Sequence, residues 1–176
     1  MVFGFLRRGG KDWIERVSIE ELEKEMIKVE TRANMVAREI ERLQAERERL
    51  FEYGKGKPEA EKLMLAEKIK DIDAEIAAKQ EEYQRLLRQR QALSNLARLK
   101  RWEAQLKQKG IWERLKSVDP EKLIDMLADM KFDAREFDKA IDAINAALGP
   151  QAGGFAADSK TKEILKKWKE AEEGGS

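Results

Sequence analysis

Apolar residues recur at alternating spacings of four and three through the first third of the chain. The series is Leu22, Met26, Val29, Ala33, Val36, Ile40, Leu43 and Leu50, and only Arg47 interrupts it. This alternation places one apolar stripe along a helix and is typical of coiled-coil packing. Ser18, followed three residues later by Glu21, forms a capping box. The pattern therefore predicts a helix from about Ser18 to Tyr53.

A second series with the same alternation follows a short glycine-rich turn. It comprises Leu65, Ile69, Ile72, Ile76, Tyr83, Leu86 and Leu93, with breaks at Lys79 and Arg90, and continues through Leu96, Leu99, Trp102 and Leu106 to Gly110. In the turn, Gly54 suits a left-handed helix end and Pro58 suits the first turn of the next helix. Because the linker is short, the two helices must lie antiparallel. The expected fold is all-α, a long helical hairpin.

The second predicted helix outruns the first, so its last part, residues 95–109, has an apolar stripe that the first helix cannot cover. Short helices later in the chain are expected to cover it. Asp119-Pro120 begins one that runs to about Met130, and Asp133 caps another that ends before Gly149-Pro150. We expect these short C-terminal helices to pack at or near the open end of the hairpin, with Trp102 and Trp112 in the contact.

The regions on either side of this core differ from it in composition. Residues 1–10 form an apolar and basic segment that ends in the hinge Gly9-Gly10, and the hairpin core with its acidic helices occupies 11–148. Residues 149–160, rich in Gly and Ala, are predicted to be a flexible linker. Residues 161–176 form a C-terminal tail with an amphipathic pattern.

The composition excludes several kinds of chemistry. The chain has no Cys and no His, which removes thiolate nucleophiles, imidazole bases and most zinc sites. The glutamates of the first helix alternate with arginines at helix-pair spacings, so surface ion pairing accounts for them. We therefore predict a non-enzymatic protein without cofactor or metal. The missing Cys fits a reducing cytoplasm, and no apolar run is long enough to span a bilayer.

The N-terminal segment is the candidate membrane contact. Its residues for this role are Val2, Phe3, Phe5, Leu6, Arg7 and Arg8. The apolar side chains would enter the interface of an anionic membrane while the arginines meet lipid phosphates, at the inner, cytoplasmic face. The alternative is that the segment packs on the hairpin. The glycine pair frees it from the first helix, and this favours membrane or partner contact.

Charge is distributed unevenly, with a basic stripe on the second helix and acidic helices after Gly110. The stripe comprises Arg85, Arg88, Arg90, Arg98, Lys100 and Arg101, and the acidic group comprises Asp125, Asp129, Asp133, Glu136 and Asp138. The stripe could bind phosphates of nucleic acid or lipid, or it could be a solvated face. No helix-turn-helix, zinc-finger or RNA-platform signature supports nucleic acid. We favour ionic docking of the two groups, within one chain or between copies.

This order of features resembles the ESCRT-III, or charged multivesicular body, protein family, whose superfamily includes phage-shock protein A. The shared features are an apolar start, Met1-Val2-Phe3-Gly4-Phe5, a hairpin with a glycine at its turn, a longer second helix, short acidic helices, and a linker to a terminal amphipathic helix. The resemblance rests on architecture over about residues 1–148. It implies an N-terminal segment that inserts into membranes and helices that polymerise into filaments that bend or sever the bilayer.

The resemblance also implies a C-terminal motif that recruits an AAA-type ATPase. The corresponding candidate residues are Ile164, Leu165, Lys167 and Trp168, with Thr161 where the family has an acidic residue. The alternative is that this helix folds back on the hairpin. The leading hypothesis from the sequence is a peripheral membrane-remodelling subunit that self-associates. The alternatives are a soluble coiled-coil scaffold or adaptor and a nucleic-acid-associated helical protein.

Overall fold

The computed structural model describes residue 4 and residues 10–132, 135–149 and 159–174, and all regular structure within them is helical. After a 3₁₀ turn at Gly10–Asp12 come α1 (Trp13–Arg16), α2 (Ile19–Gly54), α3 (Glu59–Arg101), α4 (Glu103–Gln108), α5 (Ile111–Ser117), α6 (Pro120–Ala128), α7 (Phe137–Leu148) and α8 (Ser159–Gly174). The chain divides into two compact units, Met1–Lys131 and Phe132–Ser176. In the first unit α2 packs against α3 and α6 packs against α3. The predicted hairpin is confirmed.

The predicted seam is the contact between α2 and α3. The capping box at the start of α2 is present, because Ser18 Oγ accepts from Glu21 N (3.0 Å) and Glu21 Oε2 accepts from Ser18 N (3.3 Å). The seam residues of α2 that are buried are Leu22, Val29, Ala33, Val36 and Leu43, and those of α3 include Ile76, Leu86 and Leu93. The four-and-three spacing thus predicted which face each helix buries.

The three charged residues that interrupt the seam each bind the opposite helix. Arg47 Nε lies 2.5 Å from Asp73 Oδ1, and Lys79 Nζ lies 2.7 Å from Glu39 Oε2. Nearer the open end, Arg90 NH2 lies 3.6 Å from Glu30 Oε1. Exposed pairs of this kind contribute only about 0.2–1 kcal/mol each. The three pairs fix the register of α2 against α3, because sliding one helix along the other by one turn would break all of them.

The turn differs in one detail from the prediction. Gly54 is the last residue of α2, and the left-handed glycine is Gly56, with φ of 77°. Pro58 stands at the N-cap, and α3 begins at Glu59. A Cβ at position 54 would lie 3.3 Å from Leu65 Cδ1, so this glycine serves the close approach of the two helices.

The second long helix is not continuous to Gly110 as predicted. It ends at Arg101, and Trp102 has φ of −91° and ψ of 7°. The N–H of Trp102 donates to the carbonyls of Arg98 (3.0 Å) and Leu99 (3.1 Å), a tightened last turn before α4. Gly110, with φ of 71°, then reverses the chain into α5. Periodicity missed this break because apolar spacing continues through it.

The later helices begin and end near their predicted bounds. Asp119 is the N-cap of α6 and Pro120 its first residue, as predicted. The expected cap of α7, Asp133, lies outside the described residues, and α7 begins at Phe137 after Glu136. Most of the predicted linker, residues 150–158, lies outside the described part, so the linker stays a prediction, and α8 begins at Ser159.

Complete burial is concentrated at the open end of the hairpin. The largest fully buried side chains are Trp13, Trp112, Ile14, Leu22, Leu93, Leu96, Leu99, Leu106, Leu115, Leu123 and Leu127. Between Leu43 and Ile76, by contrast, every residue is at least partly exposed. The open end is therefore a small globular core, and the tip is a two-helix element with one half-covered seam.

This distribution predicts an unequal response to truncation. Leu96→Ala should destabilise the protein by about 2–5 kcal/mol, because it leaves a cavity in a fully buried site. The matched change Leu63→Ala, at a side chain that is 66% exposed, should change stability by no more than about 0.5 kcal/mol. Urea unfolding followed by circular dichroism measures both, and equal losses would contradict a core confined to the open end.

Candidate functional site

The predicted overhang of the second helix was wrong, because α3 ends at Arg101, which pairs with Glu23 near the start of α2. The open end of α3 is covered by segments from both ends of the hairpin core. Trp13, Ile14 and Val17 precede α2 and are buried, and α1 contacts α5. From the other side, α5 contributes Trp112 and Leu115, both fully buried. The expected cover from the later helices is thus confirmed for α6, which packs on α3. For α7, in the second unit, it stays a prediction.

The N-terminal part of this cover was missed by the sequence reasoning. Trp13, Ile14 and Val17 stand at positions i, i+1 and i+4, a pattern that predicts three apolar side chains on one helix face. That spacing was the available signal. The pattern is short because α1 has only 4 residues. It also lies between two stronger signals, the glycine pair before it and the capping box after it, and these mark the boundaries of longer segments.

Polar contacts hold the same junction together around Glu15. Its Oε1 accepts from Trp112 Nε1 (3.4 Å) and lies 3.0 Å from Lys116 Nζ. Its backbone carbonyl accepts from Lys100 Nζ (3.3 Å). The hydrogen bond from Lys116, followed by that from Trp112, lowers the pKa of the Glu15 carboxyl below its ordinary value. One residue of α1 therefore ties α3 and α5 together.

The acidic helix α6 is docked on the basic face of α3 through one arginine. The guanidinium of Arg88 donates to Asp129 and, at 3.3 Å, to Asp125 Oδ1. The two aspartates are one helical turn apart, and the planar guanidinium can donate to both. All three side chains remain largely exposed, so the pairing orients α6 and adds little stability.

A buried asparagine supplies the stronger attachment of the same helix. Asn95 is completely buried, and its Nδ2 donates to the backbone carbonyls of Leu127 and Met130, each at 2.7 Å. Its Oδ1 accepts from Gln91 Nε2 (3.2 Å). The last carbonyls of a helix have no partner within the helix. Asn95 therefore caps α6 from α3, and separating the helices would leave a buried amide and two carbonyls to be solvated.

The predicted basic stripe is divided among several partners. Arg90 pairs with Glu30 and Arg101 with Glu23 of α2, and Lys100 pairs with Glu103 of α4. Arg88 alone of the six meets the acidic helices within the described ranges. For Arg85 and Arg98, no ion pair occurs among the described residues. The stripe is thus mostly neutralised inside the chain.

The other predicted site residues are in less informative positions. Of the acidic group, Asp125 and Asp129 dock on α3, whereas Glu136 pairs with Lys139 of its own helix and Asp138 is exposed. Asp133 lies outside the described residues, as do the membrane candidates Val2, Phe3, Phe5, Leu6, Arg7 and Arg8. The tail residues Ile164, Leu165, Lys167 and Trp168 are all exposed on α8.

The tip of the hairpin carries large apolar side chains that the rest of the first unit leaves exposed. Phe51, Tyr53, Leu63 and Met64 are exposed there, the last two by 66% each. Of these four, Phe51 lines a groove of about 310 Å³ between the two helices, which is lined mainly by apolar atoms and also by Lys55 and Lys62. In the same loop, Lys55 Nζ lies 5.8 Å from the Phe51 ring centre and Lys57 Nζ lies 4.5 Å from that of Tyr53. We call this surface the tip site; it was not predicted.

Two further features of the described residues concern metal sites and helices that could span a membrane. Within residues 10–132, 135–149 and 159–174 no cluster of acidic side chains is arranged to hold a metal ion. In the same part of the chain, every helix is too short or too polar to cross a membrane.

Glu15 gives a pH-dependent prediction. Because the folded state lowers its pKa, its contribution to stability is present above the unfolded pKa and is lost as the pH falls through the folded value. Glu15→Gln should therefore lower the melting temperature at neutral pH and have little effect in strongly acidic buffer. Glu113→Gln, whose carboxylate is exposed and 3.9 Å from Lys116, is the control and should have a smaller effect at neutral pH.

Arg88 gives a prediction about the docking of α6. Arg88→Glu replaces the attraction to Asp125 and Asp129 by repulsion. We therefore expect amide hydrogen exchange in residues 120–128 to accelerate by at least about twofold. Arg85→Glu introduces the same charge one turn earlier, at a side chain without such partners, and should leave exchange there unchanged. Equal acceleration in both variants would mean that Arg88 acts only through net charge.

A scan against protein-family models finds no family that matches the chain, and searches of curated proteins and of solved structures find no match either. The resemblance to the ESCRT-III family therefore stays an expectation from the order of the elements.

Proposed function

We propose that this chain is a peripheral membrane-remodelling subunit that assembles into filaments on an anionic bilayer. The observation that carries the proposal is the tip site, where four large apolar side chains are exposed at one end of the hairpin and one of them, Phe51, lines an apolar groove. Exposed apolar side chains next to an apolar groove are typical of an interaction site. A contact between the tip of one copy and a different site on the next copy is heterologous. Heterologous contacts that do not close into a ring form filaments.

The docked helix α6 is the proposed control of this assembly. Its ionic contacts with Arg88 are exposed and can exchange with those of a neighbouring copy. Its attachment through Asn95 is buried and resists release. Opening requires a state only a few kcal/mol above the closed one, which a membrane or a neighbouring copy can then favour. This supports a protein that is closed alone and opens on assembly.

The membrane contact in this proposal is the N-terminal segment. Residues 2–8 combine four large apolar residues with two arginines and stand next to a glycine pair. The same pattern supports shallow insertion into an anionic interface. The continuously described part of the chain starts at Gly10, and its first residues belong to the open end, so membrane binding would hold that end of the hairpin at the bilayer.

The division of the basic stripe weighs against nucleic acid. Four of its six members already face carboxylates of the same chain, which reduces the counterion release that drives binding to phosphates. A coiled-coil scaffold without a membrane role differs from the proposal only in lacking lipid binding, and the vesicle experiment distinguishes them.

The proposal predicts separable defects in membrane binding and assembly. Deleting residues 1–8 should strongly reduce co-sedimentation with phosphatidylserine-rich vesicles. Leu63→Glu combined with Met64→Glu should keep vesicle binding and abolish filaments seen by negative-stain electron microscopy, because charges replace the apolar tip. Ala78→Glu, at an exposed position in the middle of the hairpin, is the control and should form filaments.

Two outcomes would contradict the proposal. If the chain without residues 1–8 still binds vesicles at every salt concentration, the N-terminal segment is not the membrane contact. A chain that stays monomeric with and without vesicles would remove filament assembly, and assembly without any lipid binding would favour the scaffold.

A further inference from the structure

The helix α8 presents a narrow apolar stripe to solvent. Ile164, Leu165 and Trp168 are exposed, Leu165 by 53% and Trp168 by 63%. Trp168 is the most exposed of the four tryptophans, since Trp13 and Trp112 are buried and Trp102 is half-buried. Glu172 lies near the same face and ends the stripe after Ala171.

The charges of α8 are ordered around this stripe. Successive residues are rotated by about 100° around a helix axis, so Lys167 and Lys169 lie on the two flanks of Trp168. Glu163 and Glu170 fall on the opposite side, and Lys166 lies there too. Lysines at the flanks, a central tryptophan and carboxylates that, apart from Glu172, lie away from the stripe are the arrangement of a helix that lies flat in a lipid interface. The lysine stems reach the headgroups while the indole sits at the boundary of the acyl chains.

The other apolar surface of the chain is a poor match for this stripe. The groove of the tip site is bounded by Lys55 and Lys62. If α8 of a second copy lay in that groove, Lys167 and Lys169 would approach these lysines, and like charges would oppose the contact. An anionic lipid surface offers the opposite sign along the whole helix.

We infer that α8 is a second membrane-binding element, which lies flat on an anionic lipid surface with Trp168 at its centre. This rests on the membrane role in the proposed function and adds a contact to it. The two elements are at opposite ends of the sequence, so binding by either raises the local concentration of lipid at the other. The affinity of the chain for the membrane would then come from two weak contacts that act together, and both would depend on anionic lipid.

The experiment measures binding of the full chain to phosphatidylserine-rich vesicles by co-sedimentation. Trp168→Ala should weaken binding about tenfold, and Lys167→Gln with Lys169→Gln should weaken it by about fivefold for each lysine. Lys166→Gln is the matched control: it removes the same charge next along the chain but on the far side of the helix, and should change binding less than twofold. Since α8 is exposed, all variants should keep the melting temperature of the parent.

A second readout tests direct contact. Vesicles with brominated acyl chains should quench part of the tryptophan emission of the parent chain, and Trp168→Phe should lose that quenched component. Equal weakening by Lys166→Gln and by the flanking changes, or an unquenched Trp168, would overturn the inference.

The outcomes separate this inference from the proposed function. If the α8 variants bind like the parent while deletion of residues 1–8 abolishes binding, only the role of α8 is wrong. If the parent chain itself does not bind vesicles, both are wrong. If Trp168→Ala leaves vesicle binding intact but changes the size of the protein in lipid-free sedimentation, the stripe packs on another copy.

Discussion

The part of α3 near the open end buries apolar residues on several of its faces, and the need to cover them shapes the first unit. Helix α2 has 36 residues and α3 has 43, but Arg101 at the end of α3 pairs with Glu23 near the start of α2, and Gly54 at the end of α2 lies against Leu65. The extra residues of α3 therefore lie at the tip. Near the open end Ala92, Leu93, Leu96, Ala97 and Leu99 are all buried, and one partner helix cannot cover all the faces they occupy. Left in water, these faces would cost roughly 25 cal/mol for each Å² of apolar surface. The short elements pack at this end: α1 from before the hairpin, and α4, α5 and α6 from after it. The largest fully buried side chains lie at this end because the constraint lies there.

The same constraint leaves the opposite end of the hairpin without a cover. The chain between α2 and α3 is a short turn, which supplies no third element to pack on the tip. Two helices can bury only the stripe that faces the partner, so Phe51, Leu63 and Met64 remain in solvent. A well-buried open end and an apolar tip follow from the packing of the short helices at one end of the hairpin only. Because the two ends of the hairpin differ in this way, the tip of one copy can contact a different site on the next copy, and the proposed assembly uses this contact.

Much of the fold could be read from the sequence because it depends on local signals. The capping box at Ser18, the Asp119-Pro120 helix start and the seam spacing all act over a few residues, and all three were confirmed. Contacts over long separations could not be read in this way. Arg47, Lys79 and Arg90 were recognised only as interruptions, because nothing near them in sequence identifies Asp73, Glu39 and Glu30 as their partners. The candidate site was predicted in part: Arg88 does meet Asp125 and Asp129, but the tip site and the role of Trp13 were missed.

By itself, the sequence determined the two long helices, their apolar faces and their antiparallel order, because periodicity, caps and a short turn leave one arrangement that buries both stripes. Only the tertiary structure decided where α3 ends, how the open end is covered and how the charges are shared. Asn95 is an ordinary polar residue in the pattern, yet it is fully buried because the carbonyls of α6 arrive opposite its amide. The basic stripe is continuous in sequence, yet α2, α4 and α6 divide it, because packing brings a different carboxylate to each cation. Which acid meets which base depends on distance in space, and local spacing holds no record of it.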